Sequence, residues 1–182
     1  MADKTIRGPY GSEKGITDAN VGTVASGSSV VEYGNGCFHQ SIITVASTLP
    51  AIVGAGNYGV GTLVYTLPSG ALDVKATYMS MALTTAGTTN SADTPDIGIG
   101  TTIGTGTEIA LGTIGATTEN MLTGQTASDC NGTANVKHLA TSLLIATAGN
   151  HTVYFNAACG WTGADTGCGI AGTIIIEWTF VV

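Results

Sequence analysis

The sequence predicts an all-β protein: an antiparallel β-sandwich of the jelly-roll kind, preceded by an extended N-terminal arm. Three observations predict it. Gly (27 residues) and Thr (30 residues) fill almost a third of the 182-residue chain. Gly serves turns, bulges and close approach, whereas β-branched Thr fits an extended backbone. Apolar and β-branched runs recur at roughly 8–14-residue spacing, separated by Gly, Asn, Pro and Asp. The last run alternates: Ile174, Ile176, Trp178, Phe180 and Val182 share one face, and Ile175, Glu177, Thr179 and Val181 the other. A strand with one wholly apolar face belongs in a sandwich or barrel core.

Residues 1–27 hold Gly8-Pro9, Gly11, Gly15, Gly22 and Gly27 and few large apolar side chains. Neither a helical nor a strand period can be read there, so they are taken as the arm. The sandwich domain is assigned to 28–182. Its expected strands are 28–33, 37–46, 60–67, 71–83, 96–102, 107–114, 141–147, 151–158 and 169–181. In 71–81, Leu72, Val74, Ala76 and Tyr78 are expected on one face, opposite Asp73, Lys75, Thr77 and Met79. In 151–157, Val153, Phe155 and Ala157 oppose Thr152, Tyr154 and Asn156. Short helical turns are expected at 119–123 and 134–140 only. A Greek-key sandwich without the jelly-roll order is the nearest competing fold.

Composition excludes other classes. Charged residues make up 9% of the chain, against about 25% in an ordinary soluble domain. Hydrophobic content of 43% removes the disorder signature. No apolar run reaches the roughly 18 residues of a membrane-spanning helix. The opening Met1-Ala-Asp-Lys-Thr-Ile-Arg has no apolar core for a signal peptide, so synthesis in the cytosol is expected. The net charge is −7, and three of the five basic residues, Lys4, Arg7 and Lys14, fall in the first fourteen. An acidic body repels phosphate backbones, so no nucleic-acid partner is expected.

Motifs for chemistry are sparse. Gly54-Ala-Gly56-Asn-Tyr-Gly59 matches G-x-G-x-x-G, but a β-like run follows where a dinucleotide site needs a helix. It reads as a loop. Cys37 and His39 lie two apart on one strand face, as half a metal site or a Cys–His pair would; two ordinary strand residues are the plainer reading. Asp93 and Asp96 flank Pro95, with Asp129, Asn131 and Asp165 as other loop oxygens. Calcium would need more ligands, and a turn in which Asp93 caps its own backbone is the simpler account. Cys37, Cys130, Cys159 and Cys168 read as free thiols given a cytosolic origin. A Cys159–Cys168 disulfide across a late hairpin is the alternative. Trp161 and Tyr58, in Gly-rich loops, could stack on sugar rings; a lid on the core or an interface anchor is the plainer reading, whereas Trp178 is core. No cofactor site and no catalytic set stand out.

The segments Val64-Tyr-Thr-Leu-Pro-Ser-Gly-Ala-Leu72, Asp93-Thr-Pro-Asp-Ile-Gly-Ile-Gly-Thr101 and Gly172-Thr-Ile-Ile-Ile-Glu-Trp178 sit in a small, acidic, Gly/Thr-rich β-body with a polar arm. In that general character the chain resembles virion structural proteins of tailed bacteriophages, nearest to small head decoration (cement) proteins. The likeness covers residues 28–182 and has no diagnostic active-site motif. It implies a protein made in the host cytoplasm and placed on the capsid surface. Its partners would be the major capsid protein and further copies of itself, with a trimer favoured. It would be no enzyme and carry no cofactor. Lys4, Arg7, Tyr10 and Lys14 of the arm are the expected capsid contacts. The alternative is a receptor- or glycan-binding tail or fibre module using Trp161 and Tyr58.

Overall fold

The computed structural model describes residues 4–7, 22–34, 38–53 and 57–181. Eleven strands are assigned. They are β1 (Lys4–Arg7), β2 (Thr23–Val24), β3 (Ser28–Gly34), β4 (Phe38–Thr48), β5 (Gly59–Thr66), β6 (Leu72–Thr85), β7 (Asp96–Gly100), β8 (Leu122–Thr126), β9 (Asn131–Ile145), β10 (Thr152–Ala158) and β11 (Cys168–Phe180). One helical turn, α1 (Leu111–Ile114), lies between β7 and β8. The strands form two sheets, ordered β1-β3-β4-β11-β6-β9 and β2-β5-β10-β7-β8. All pairings are antiparallel except that of β1 with β3. The two sheets pack face to face as a β-sandwich, as the sequence predicts. Counted from β4, the first sheet takes strands one, eight, three and six, and the second takes two, seven, four and five.

Core formation follows from alternation. Ile174, Ile176 and Trp178 of β11 are fully buried, while Ile175, Glu177 and Thr179 point away. They meet Val153 and Phe155 of β10 and Ile97 and Ile99 of β7, all fully buried, in one apolar cluster. Burying each such side chain stabilises by about 1.5–3 kcal/mol before entropy is counted.

Four expectations are corrected. The lead-in is not strand-free: Lys4–Arg7 pair in parallel with Val30–Tyr33, and Thr23–Val24 pair with Tyr65–Thr66. The backbone of 22–24 therefore belongs to the sandwich. The face alternation expected along β6 holds only at its start. Trp178 pairs with Val74 but Glu177 pairs with Ala76, so Lys75 is an extra residue in the ladder. That bulge swaps the faces beyond it, placing Thr77, Met79, Met81 and Leu83 inward and Tyr78 outward. The third correction is 107–114, which is loop and α1 instead of a strand. Last, 134–140 lies in the fifteen-residue strand β9, and Leu122–Thr123 of the expected turn at 119–123 begin β8.

The segment between β7 and β8 roofs the outer face of the five-stranded sheet. Tyr58 and Gly59 donate N–H bonds to Gly106, and Gly104 donates its N–H to Asn156 Oδ1 at 2.8 Å. Close approach requires missing side chains. A Cβ on Gly61 would run into Asn156 Oδ1, and one on Gly100 into the Thr117–Thr118 backbone. Much of the Gly excess thus serves contact between layers as well as turns.

Candidate interaction surface

The other outer face, that of the six-stranded sheet, is built by the register of five strands. Its central row is Val31, Ile42, Ile175, Tyr78 and His138. On one side run Ser29, Thr44, Thr173, Ser80 and Val136, and beyond them Ala46, Ala171, Ala82 and Ala134. On the other side run Tyr33, Gln40, Glu177, Ala76 and Ala140. The end row holds Phe38, Thr179, Asp73 and Leu144. Nearly all of these side chains are half-buried or exposed. Tyr33 is 39% exposed, Phe38 46%, Val136 58% and Leu144 69%. Across β3, β4, β11, β6 and β9, formal charge on the face is confined to Glu177, which accepts a bond from Gln40 Nε2 at 3.1 Å, and the ion pair of Asp73 with Lys75 at the bulge; at the sheet edge Arg7 of β1 pairs in register with Tyr33. A hollow of about 110 Å³ between Gln40, Ala76, Tyr78, His138, Ile175 and Glu177 marks its middle.

Behind this face a buried polar cluster ties the two sheets together. Glu32 of β3 is fully buried and accepts bonds from Ser41 Oγ at 2.9 Å and from the Tyr65 hydroxyl of β5. Tyr65 in turn accepts the Gly22 N–H at 2.8 Å, and the Trp178 indole donates to Ser41 Oγ at 2.9 Å. Burial, and next the Glu32 charge, raise the Tyr65 pKa far above its ordinary value, so the hydroxyl stays a donor. The His39 ring stacks on Trp178 with centroids 4.1 Å apart and planes 9° from parallel. Neither His39 nitrogen has a hydrogen-bond partner among the described residues. Burial lowers its pKa, which favours the neutral ring. Sequence reading missed Glu32 because its local context, Val30-Val-Glu-Tyr33, looks like ordinary strand alternation.

The residues singled out from the sequence are placed as follows. Lys4 and Arg7 lie in β1 at the edge of the six-stranded sheet, whereas Tyr10 and Lys14 fall outside the described residues. Trp161 offers no stacking platform. It is 5% exposed, and its indole N–H donates to the Tyr58 carbonyl at 2.9 Å. Tyr58 is half-buried against the core. The pair is a lid on the core, the plainer of the readings its loop context allows.

Cys159 and Cys168 are free thiols, and the thiol partner of Cys168 is Cys130. The hydrogen bond with Cys168, followed by burial, pushes the Cys130 thiol up, so it stays protonated. Cys37 and Gly54–Gly56 lie outside the described residues, and the chain after them enters β5, with no helix for a pyrophosphate.

Loop carboxylates hold loops. Asp93 does not cap its own turn. It accepts the Thr162 N–H at 2.9 Å and the Thr162 hydroxyl at 2.5 Å. Asp96 accepts the Leu111 N–H at 2.9 Å, and burial raises its pKa. Asp129 accepts from Asn131 N–H and Thr133 Oγ, each at 3.2 Å. No group of three or more metal-ligating side chains converges among the described residues. Among the described residues no helix is long and apolar enough to cross a membrane.

No protein-family model, curated protein or solved structure matches the chain.

Proposed function

We propose that this protein is a virion structural protein: a decoration (cement) protein that binds the outer surface of a phage head and stabilises contacts between major capsid subunits. The observation that supports an assembling module is the unequal treatment of the two outer sheet faces. One is roofed by the chain's own 101–121 segment through Gly104, Gly106 and Asn156. The other presents Tyr33, Phe38, Val136 and Leu144 to solvent with little charge. Large apolar patches on a folded surface mark interaction sites. The strand order, one-eight-three-six against two-seven-four-five, supports the jelly-roll reading of the sandwich.

In this proposal the N-terminal segment makes the capsid contact, through Lys4, Arg7, Tyr10 and Lys14. Its anchoring suits the task. Gly22–Val24 are fixed to Tyr65 and β5, so whatever precedes them is held at the sandwich. The protein assembles with copies of itself at the capsid surface. Mixing it with expanded, emptied heads tests the reading: stoichiometric pelleting with the heads supports it, and no pelleting at saturation removes it. The glycan-binding alternative loses its main aromatic, since Trp161 is buried.

A further inference from the structure

We propose that the outer face of the six-stranded sheet is where copies of this chain join. This rests on the reading of the chain as an assembling module and goes beyond it by assigning the surface. Of the eight large hydrophobic side chains exposed among the described residues, Tyr33, Phe38, Val136 and Leu144 all fall on this face. They surround the apolar row Val31, Ile42, Ile175 and Tyr78.

Size and charge select the occupant. Five strands at about 4.8 Å spacing, over the run from Phe38 to Ala46 at about 3.4 Å per residue, give a face of about 700 Å². Two such faces bury about 1,400 Å², within the roughly 1,200–2,000 Å² of stable interfaces. The chain carries −7 overall, yet across β3, β4, β11, β6 and β9 this face holds only Glu177, bonded by Gln40, and the neutralised Asp73–Lys75 pair, with Arg7 of β1 in register with Tyr33 at the sheet edge. Two copies meeting here bring almost no like charge together. A strongly basic or acidic partner finds too few opposite charges to fix it. Rows of Ala, Thr and Ser keep the face low, so a second sheet can approach to the usual separation of about 10 Å. β9, at the edge of the sheet, contributes Ala134, Val136, His138, Ala140 and Leu144 to the face, while its one formal charge, Lys137, donates to the Thr123 carbonyl on the other side.

The test is light scattering after size exclusion on the full chain, without capsids. Wild type is expected to be oligomeric at micromolar concentration. The double variant Thr44→Arg, Val136→Lys places cations on the face at exposed positions. It is expected to weaken association by at least about tenfold, with an unchanged circular dichroism spectrum showing that the fold is kept. Leu144→Glu, also exposed, gives the same result with the opposite charge. Ile103→Lys with Ile109→Lys, exposed but off the face, leaves the oligomer intact. A monomeric wild type, or an oligomer indifferent to Thr44→Arg, Val136→Lys and Leu144→Glu, overturns the inference. Head pelleting separates the two proposals. A monomer that pellets with heads removes this inference alone, and an oligomer that does not pellet removes only the capsid reading.

Discussion

Asn156 carries the clearest energetic prediction. It lies in β10, between β5 and β7, and its side chain turns outward from the sandwich core yet is fully buried. The roof accounts for that. Asn156 Oδ1 accepts the Gly104 N–H at 2.8 Å, and Nδ2 donates to the carbonyls of Thr102 at 3.0 Å and Thr118 at 2.6 Å. Asn156→Ala removes all three bonds, each with a net value of about 0.5–1.5 kcal/mol, and strands the buried Gly104 N–H at about 1–3 kcal/mol. The expected loss is about 3–4 kcal/mol, a large share of the roughly 5–15 kcal/mol that holds a domain folded. Urea unfolding followed by tryptophan fluorescence measures it, since Trp161 and Trp178 are both buried and are the only tryptophans. Asn156→Asp sharpens the test. It keeps the acceptor for Gly104 but turns two donor bonds into oxygens facing carbonyls. Its loss at neutral pH should match or exceed that of Ala and shrink in acid, where a protonated Asp regains one donor. Gly61→Ala, which drives a Cβ into Asn156 Oδ1, should destabilise through the same contact. An Asn156→Ala loss below about 1 kcal/mol would refute the claim that this side chain pins the roof.

Other predictions follow from the same contacts. Because burial lowers the His39 pKa, the unfolded chain binds that proton more readily than the folded one. Stability should therefore fall as pH drops through about 6.5, the ordinary histidine value. His39→Phe, which can keep the Trp178 stack, should reduce that part of the slope in paired urea titrations at pH 7.5 and 5.5 (conditions on the order of one unit either side of that value), and an unchanged slope would count against it. Truncation after residue 21 should retain the Gly22–Tyr65 bond and β2, whereas truncation after residue 27 removes both and should lower the melting midpoint further; equal midpoints would contradict the boundary drawn here. In native thiol titration, half-buried Cys159 should react before the buried pair Cys130 and Cys168, and simultaneous reaction of all three would contradict the placement of that pair.

How much was legible depended on whether a residue's fate is local. β11 was readable because its apolar face is continuous from Ile174 to Trp178 and no bulge interrupts its own spacing. β6 was readable as a strand but not in its facing. The extra residue Lys75 is defined by the partners Val74–Trp178 and Ala76–Glu177, which lie about a hundred residues apart in sequence. The run Ala134–Ala140 looked helical because Ala favours helices. Its pairing with β6 overrides that preference. Trp161 sits among glycines, which signal a loop, but the loop folds back until the indole reaches the Tyr58 carbonyl. The candidate surface was the least legible part. Ile42, Ile175 and Tyr78 are unremarkable in their own strands and become a row only through sheet register. Glu32 and Asn156 were hidden for a related reason, since Glu32 meets Tyr65 of another sheet and Asn156 meets the 101–121 segment, both remote in sequence.

The central claim is attachment to a phage head, and co-sedimentation with expanded, emptied heads tests it most directly. The account predicts saturable binding at a fixed number of copies per head, diminished by charge reversal at Lys4 and Arg7 while the fold is kept. Absence of bound protein at saturating addition, with the chain folded, would contradict it.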